Sequence, residues 1–310
     1  MLPAIGYRPE ALGWTEMKSG TVAIIGRPNV GKSTLLNALL KEKIAIISET
    51  PQTTRTRILG VLHREDAQIV LLDTPGLHKP EYRLNRRMVR TALETMREAD
   101  LLYVMVEGTA APGSGDRFVI QQVREAAGSG GRPTFLLINK VDLVSKPRLL
   151  PLIATYSQML EWTEVVPLSA KTGLNVDRLV DLTVTALPEG EALYGEDMIT
   201  DQPMRALAAE LIREKILQKT REEIPYAVAV EIDRFQEEGR LACIAASVLV
   251  EKESQKAIVI GKHGDRLKAI GTYARIEMER LFGMKVFLEL WVKVRPAWRE
   301  DEQALTALGY

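Results

Sequence analysis

The chain of 310 residues has one cysteine, few aromatic residues (5%), no surplus of either charge and no long apolar run. The single cysteine, Cys243, excludes an internal disulfide and fits a reducing cytoplasm. The longest apolar runs, such as residues 101–106, are far too short to cross a bilayer. The N-terminus lacks a basic segment followed by an apolar core, so we expect no signal peptide. With 41 basic and 41 acidic residues, the net charge alone does not indicate a nucleic-acid partner.

The length predicts two ordinary domains. In the first part of the chain, continuous apolar segments alternate with helical patterns, which favours a doubly wound, mostly parallel α/β sheet. The predicted strands cover residues 21–26, 68–73, 100–107, 134–139 and 164–169.

The pattern changes after residue 187. Residues 188–203 are rich in proline, glycine and acidic residues, which is typical of a linker. The sequence that follows predicts a helix, two strands, two helices and a final strand, which together form a smaller α+β domain. The predicted boundaries are 1–19 for an N-terminal extension (with Met17 as an alternative start), 20–187 for the first domain, 188–203 for the linker, 204–296 for the second domain and 297–310 for a C-terminal tail.

A phosphate-loop motif, GRPNVGKS, lies between the first strand and the first helix. Its backbone N–H groups and the helix N-terminus form a site for phosphate groups. We expect Lys32 to contact the β- and γ-phosphates, Ser33 to bind Mg²⁺ and Thr34 to approach the α-phosphate. DTPG follows a later strand, where Asp73 is placed to hold Mg²⁺ through water and Gly76 to offer its N–H to the γ-phosphate.

A switch segment is predicted between these two motifs, at TPQTTRTR (50–57). The two motifs resemble those of phosphate-loop GTPases, which place a threonine here that binds Mg²⁺ only when the γ-phosphate is present. Its position favours Thr54, with Thr53 as the alternative. We expect the segment to be ordered with GTP and released after hydrolysis.

Two further motifs predict that the base is guanine. The carboxylate of Asp142, in NKVD (139–142), can accept two hydrogen bonds from guanine, while Asn139 bonds the other edge. The N–H of Ala170, in SAK (169–171), is placed to reach the 6-oxo group. Adenine lacks the 2-amino group and would leave the carboxylate unpaired. Because an unpaired buried polar group is costly, the preference for guanine over adenine should be large.

The four motifs in this order resemble the translation-factor-like class of GTP-binding proteins, over roughly residues 20–187. By this resemblance, the catalytic residues are Lys32, Thr54 and Gly76, and the metal ligands are Ser33, Thr54 and Asp73. The residues expected to bind GTP or GDP are Gly26, Arg27, Pro28, Asn29, Val30, Gly31, Lys32, Ser33, Thr34, Asp73, Thr74, Pro75, Gly76, Asn139, Lys140, Asp142, Ser169, Ala170 and Lys171.

Leu77 stands where many relatives have a glutamine that orients the attacking water. Leucine cannot hydrogen-bond water, so we predict slow intrinsic turnover that depends on a partner or an ion. His78 is adjacent, but we do not expect it to be a catalytic base. Asn29 resembles the asparagine that supports a K⁺ ion beside the phosphates in similar GTPases, and a cation there would act as an arginine finger does.

The second domain contains GKHG (261–264), a Gly-x-x-Gly turn between helical segments. KH domains use such a turn to clamp about four single-stranded nucleotides. The neighbourhood is basic, with six basic and two acidic residues between Lys252 and Arg275. The element order predicts a type II KH fold. The expected RNA-binding residues are Ile260, Gly261, Lys262, His263, Gly264, Arg266, Lys268 and Arg275.

One GTPase domain, a linker and a C-terminal KH domain closely resemble the Era family of GTPases, from residue 20 to residue 298. The chain departs from the family pattern at His263, where glycine is common, and in its longer N-terminus. The resemblance implies binding near the 3′ end of 16S ribosomal RNA, action in assembly of the small ribosomal subunit, and a monomeric cytoplasmic protein with peripheral association at the inner membrane. An RNA-binding chaperone whose nucleotide site is mainly structural is the alternative.

The last predicted strand is followed by a second tryptophan. The strand alternation in WVKVRPAW (291–298) leads us to expect Trp291 in the core, with Lys293 and Arg295 on the other face. Trp298 lies beyond the strand, where it either stacks on a base or packs against the domain edge.

Overall fold

A computed structural model describes residues 17–48, 50, 52–127, 131–220 and 224–310. Residues 1–16 of the predicted extension, and residue 51 of the predicted switch segment, lie outside this part. The first strand begins at Met17, so the last three residues of the predicted extension belong to the first domain.

The first domain is the predicted doubly wound α/β domain. Its strands are β1 (Met17–Gly26), β2 (Ile58–His63), β3 (Ala67–Asp73), β4 (Leu101–Glu107), β5 (Thr134–Asn139) and β6 (Glu164–Pro167). Its helices are α1 (Lys32–Leu40), α2 (Arg83–Glu98), α3 (Ser114–Ala127), α4 (Lys146–Ser157) and α5 (Val176–Ala186). The strand order is β2-β3-β1-β4-β5-β6, and every one of these pairs is parallel except β2 with β3.

Helices cover both faces of this sheet, which explains the continuous apolar strands. Val22 and Ile24 of β1 pack into one core cluster, whereas Ala23 and Ile25 pack into another on the opposite face. The loops after β1, β3, β5 and β6 therefore meet at the carboxyl edge of the sheet. That edge is where ligands bind in folds of this type.

The predicted linker is attached to the first domain. Glu189–Gly190 form a short strand, β7, that pairs with the start of β1. The Gln68 side chain accepts hydrogen bonds from the N–H groups of Leu193 and Tyr194 at 2.6 and 2.9 Å. The Val61 N–H donates to the Ile199 carbonyl at 2.8 Å. The linker thus runs along β2 and β3 and is held there by backbone contacts.

The second domain has the predicted element order with one addition, a short helix before the first strand. It contains α6 (Met204–Lys219), a short α7 (Ile224–Ala227), β8 (Ala229–Glu238), β9 (Leu241–Val250), α8 (Glu253–Ile260), α9 (Asp265–Phe282) and β10 (Lys285–Val294). Its sheet order is β10-β9-β8, with β10 parallel and β8 antiparallel to β9. A tail helix, α10 (Glu302–Ala307), follows. None of the helices in the described ranges is both long and apolar enough to span a bilayer.

The prediction for Trp291 was wrong, and one alternative for Trp298 is confirmed. Side chains two residues apart on a strand share a face, so Trp291 lies on the same face as Lys293 and is 47% exposed. Val286 and Val292, on the other face of β10, fill the core. Trp298 is completely buried and donates its indole N–H to the Ala227 carbonyl at 2.9 Å, so it packs against the domain edge.

Candidate nucleotide and RNA sites

The phosphate loop needs glycine at two positions because other atoms approach its backbone closely. A Cβ at Gly26 would lie 2.5 Å from the Met105 carbonyl oxygen. Gly31 has a φ of 105°, and a Cβ there would lie 2.3 Å from the Asn139 amide nitrogen. Gly31 is also the N-cap of α1, so the loop places the helix N-terminus at the phosphate site.

Lys32 is buried beneath its own loop. Its Nζ donates to the carbonyl oxygens of Gly26 and Arg27, at 3.4 and 3.2 Å. Burial lowers the pKa of Lys32 to about 8, although the nearby Asp73 charge raises it. The charged form of the ammonium is therefore destabilised by burial here. An anionic partner such as a phosphate would stabilise it.

The three predicted metal ligands converge. The Ser33 hydroxyl donates to Asp73 Oδ2 at 2.6 Å and lies 2.8 Å from Thr54 Oγ1. Thr54 Oγ1 also donates to Asp73 Oδ2, at 3.3 Å. The alternative threonine, Thr53, instead donates to the Thr50 carbonyl at 2.7 Å. The geometry thus favours Thr54 as the switch threonine.

These residues suit a small hard cation. Their donor atoms are two hydroxyls and a carboxylate, the oxygen ligands that Mg²⁺ prefers. Asp73 is fully buried, and its Oδ1 has no hydrogen-bond partner among the described residues. Burial raises the pKa of Asp73, against the opposing effects of Lys32 and the two hydroxyl hydrogen bonds. A cation beside this carboxylate would stabilise its charged form.

Asn139 has a part that the sequence did not reveal. Its side-chain nitrogen donates to the Val30 carbonyl at 2.7 Å, and its oxygen accepts from the Ala170 N–H at 3.0 Å. The side chain therefore ties the phosphate loop to the SAK loop. An amide oxygen and an amide nitrogen can each make a second hydrogen bond, so contact with a base edge stays compatible with this role.

Charged neighbours anchor two of the other predicted residues. Arg27 Nη2 contacts Glu107 at 3.1 Å and its Nε contacts Asp116 at 3.0 Å. Lys140 Nζ contacts the other Glu107 oxygen at 3.2 Å. Glu107 therefore links the phosphate loop to the NKVD loop.

One cavity of about 1300 Å³ joins most of the predicted nucleotide residues. Its lining includes Pro28, Asn29, Gly31, Lys32, Ser33, Thr34, Thr54, Gly76, Asn139, Lys140, Asp142, Ser169 and Lys171. The other predicted residues are absent from its lining, and Thr74, one of them, is buried and donates its hydroxyl to the Ile24 carbonyl.

The same cavity has a wall from the second domain, which sequence reasoning missed. Leu217, Gln218 and Thr220, at the end of α6, line it together with Pro225 and Tyr226. These residues belong to no motif and follow the end of the last nucleotide motif, Lys171, by at least 46 residues. Only the packing of the two domains reveals them.

The second domain also holds the switch segment on both sides of Thr54. The Arg213 guanidinium of α6 donates to the Thr53 carbonyl. Arg55 reaches into the second domain, where it donates to the Val228 carbonyl at 2.8 Å and to the Pro225 carbonyl at 3.3 Å. Thr54 thus faces the metal site while both of its neighbours bond to the other domain.

The Gly-x-x-Gly turn lies at the surface between α8 and α9. Lys262 and His263 are exposed, and a Cβ at Gly264 would have no heavy atom within 4 Å. Gly261 packs against Arg266, whose guanidinium donates to the Ile258 carbonyl. This turn offers open backbone to a ligand.

The remaining predicted RNA residues divide into two groups. Ile260 is partly buried beside the turn, and Lys268 is exposed one turn along α9. Arg275 pairs with Glu279 at 3.0 Å. Since a helix rises about 1.5 Å per residue, Arg275 lies ~16 Å from Gly264, so the structure does not bring it to the turn.

The chain is similar to known proteins over nearly its whole length. A family model described as a 50S ribosome-binding GTPase matches residues 21–140, and a KH domain model matches residues 223–299. The proteins named GTPase Era from Geobacter metallireducens and Leuconostoc citreum are 52% and 50% identical, each over 94% of this chain and 98% and 96% of their own length.

Two solved structures agree with this similarity. Era in complex with MgGDPNP and nucleotides 1506–1542 of 16S ribosomal RNA is 44% identical, with a TM-score of 0.91 over 95% of this chain and 99% of that chain. A variant of Aquifex aeolicus Era bound to GDP·AlF4⁻ is also 44% identical, with a TM-score of 0.90 and the same coverage of both chains. A GTPase domain with converging phosphate, metal and base loops, joined to a KH domain, places this chain in the Era family of GTPases.

Proposed function

We propose that this GTPase is a switch that binds single-stranded RNA near the 3′ end of 16S ribosomal RNA and acts in assembly of the small ribosomal subunit. One observation carries the proposal. Thr54 contacts Ser33 and Asp73 at the metal site, and its neighbours Thr53 and Arg55 bond to the KH domain. A change at the γ-phosphate that moves Thr54 must therefore alter contacts between the domains.

The choice of subunit rests on the KH domain. The family model described as ribosome-binding names the 50S subunit, but it covers only residues 21–140 of the GTPase domain. The Era structure with 16S ribosomal RNA is similar to this chain over both domains. Because the exposed turn at residues 261–264 belongs to the second domain, we favour the small subunit as the partner.

Each part of the nucleotide site has a proposed task. The backbone of residues 26–34 and the ammonium of Lys32 bind the phosphates, and Gly76 offers its N–H to the γ-phosphate. Ser33, Thr54 and Asp73 would hold Mg²⁺, which neutralises charge on the phosphate oxygens when it is bound. Asp142 would select guanine, and the Ala170 N–H, which donates to Asn139 in this structure, would have to turn to the 6-oxo group when the base binds.

We further propose that a K⁺ ion, supported by Asn29, adds positive charge beside the phosphates. Asn29 has a φ of 64° and lines the nucleotide cavity, so its position in the loop suits a ligand-facing role. GTP turnover should be several-fold faster in KCl than in NaCl at equal ionic strength. Equal rates in the two salts would contradict this role.

Three properties stay predictions from the family resemblance: a cytoplasmic location, peripheral association with the inner membrane, and a monomeric state. Sedimentation with membranes, compared with the protein left in the cytoplasmic fraction, tests the first two. Analytical ultracentrifugation tests the third.

The main experiment measures RNA affinity and GTP turnover for the wild type and Gly264→Asp. RNA with the sequence of the 16S 3′ end should bind more tightly with a GTP analogue than with GDP and should accelerate hydrolysis. Gly264→Asp adds a carboxylate where phosphate must approach, so both effects should be lost while basal turnover persists.

The matched control is Gly264→Asn, which has the same shape without the charge. Both variants share any cost of the φ of 83° at this position, and neither meets another heavy atom within 4 Å of its Cβ. Gly264→Asn should keep more RNA affinity than Gly264→Asp. Equal RNA affinity in all nucleotide states would exclude the switch, and negligible stimulation of hydrolysis by RNA would favour the RNA chaperone with a structural nucleotide site.

A further inference from the structure

The residue that replaces the usual glutamine cannot help to orient water. Leu77 is completely buried and packs in a core cluster with Ile25, Ala92 and Val104. Another glutamine lines the nucleotide cavity. Gln52, in the switch segment, lines the nucleotide cavity together with Lys32, Thr54 and Gly76.

A defined chain of hydrogen bonds attaches Gln52 to the DTPG loop. His78 Nδ1 lies 2.8 Å from the Gly76 carbonyl oxygen. Because a carbonyl oxygen only accepts, Nδ1 donates, and in the neutral ring Nε2 is left as an acceptor. Gln52 Nε2 lies 3.1 Å from His78 Nε2 and therefore donates to it.

This arrangement fixes which end of the Gln52 amide is available. The nitrogen is directed to His78, so the oxygen lies on the other side of the amide group and takes no part in that hydrogen bond. An attacking water needs such an acceptor, which holds its hydrogens so that its lone pair faces phosphorus.

The backbone of Gln52 also has an uncommon conformation. Its φ of 64° is in the left-handed region, which is unfavourable for a residue other than glycine. Gln52 precedes Thr54 by two residues. When the switch segment becomes ordered and Thr54 reaches the metal site, Gln52 is therefore positioned as well. Strain of this kind is found where a loop must present a side chain to a ligand.

We propose that Gln52 is the catalytic residue that orients the attacking water, and that His78 is a positioning residue for its amide. The water oxygen bonds to the γ-phosphorus, and the bond from that phosphorus to the β,γ-bridging oxygen breaks. GDP leaves with the electron pair, and the water proton passes to phosphate. Gln52 accepts a hydrogen bond and gains no proton. The inference rests on the proposed nucleotide site.

Single-turnover hydrolysis at saturating GTP and Mg²⁺, with RNA present, tests the proposal in the full chain. Gln52→Ala should lower the rate about 100-fold, the scale of a lost transition-state contact. Its dissociation constants for GDP and a GTP analogue should change less than about threefold, since the ground state does not use the contact. His78→Ala should lower the rate less, and adding it to Gln52→Ala should have little further effect.

The matched control is Gln121→Ala on the exposed surface of α3, which should turn over like the wild type. Normal turnover of Gln52→Ala would overturn the proposal. A slower rate accompanied by an equal loss of analogue or Mg²⁺ affinity would also overturn it, because Gln52 would then only order the loop. Failure of the nucleotide site itself would be distinct, since the wild type would not bind the analogue.

Discussion

Arg55 is a buried cation whose contacts are carbonyl oxygens and aromatic rings. It is 5% exposed, and its guanidinium lies 5.6 Å from the Trp298 ring centre and 5.5 Å from that of Tyr310. Burial lowers the pKa of Arg55, while the Tyr310 phenol, which accepts its hydrogen bond at 3.1 Å, raises it. Arginine nevertheless stays charged in proteins. The desolvation cost is therefore offset by cation–π contacts and charge-assisted hydrogen bonds.

Arg55→Met should weaken the attachment of the switch segment to the KH domain, leaving the Arg213 contact with the Thr53 carbonyl. The change removes the hydrogen bonds to Val228, Pro225 and Tyr310, and we expect the docking of the segment to weaken by about 2 kcal/mol. Protease cleavage near residue 55 with a GTP analogue bound should then be about tenfold faster or more. Affinity for GDP should change little, because Arg55 does not line the cavity and the GDP state does not use the γ-phosphate contact of Thr54.

The control for this residue is two positions further along the chain. Arg57 is exposed and pairs with Glu98 at 3.6 Å, a surface contact worth about 0–1 kcal/mol. Arg57→Met should be cleaved at nearly the wild-type rate. If both variants behave alike, the segment is held by something other than Arg55.

The strands and loops of the GTPase domain were predictable because both faces of its sheet are covered. Such strands form continuous apolar runs, and the phosphate, DTPG, NKVD and SAK loops follow them directly. β2 was missed: ILGVLH is a short segment at the sheet edge, and its last two residues, Leu62 and His63, are only partly buried. A run this short cannot be told from a loop or a helix end by periodicity alone.

In the KH domain the sequence was less informative about which side chains face the core. Its element order was predictable from alternation and turns, but the face of β10 was assigned wrongly at Trp291. A tryptophan followed by Lys293 two residues later shares the lysine's face whatever its own hydrophobicity. Contacts between distant segments, such as Arg55 with Trp298 and Gln52 with His78, leave no periodic signal in the sequence.

Besides the switch segment, two further contact regions join the domains in the described part of the chain. In one, Leu84 and Met88 of α2 pack with Trp298 and Leu305 of the tail. The other is ionic, where Lys43 after α1 contacts Glu214 at 2.7 Å and also pairs with Glu277. The ionic cluster and the switch segment both use α6. A movement of α6 would therefore change contacts at the nucleotide cavity and within the KH domain at the same time.

The ionic cluster makes domain docking depend on Lys43 and on pH. Lys43→Met leaves Lys215 as the remaining cation of the cluster, so docking should weaken by about 2 kcal/mol. Burial by itself raises the pKa of Glu277, but hydrogen bonds and charges from Lys215 and Lys43 lower it below the ordinary 4.5. The stabilisation is therefore complete above pH 4.5 and is lost as the pH falls through the lowered pKa.

Small-angle scattering at pH 7 should show a larger radius of gyration for Lys43→Met than for the wild type. Lys41→Met, at an exposed lysine in the same loop, is the matched control and should scatter like the wild type. Acidification from pH 7 through and below 4.5 should expand the wild type toward the Lys43→Met value and change that variant less, because its cluster is already weakened. Identical radii for the two variants at pH 7 would show that the apolar contacts and the switch segment hold the domains together without help from Lys43.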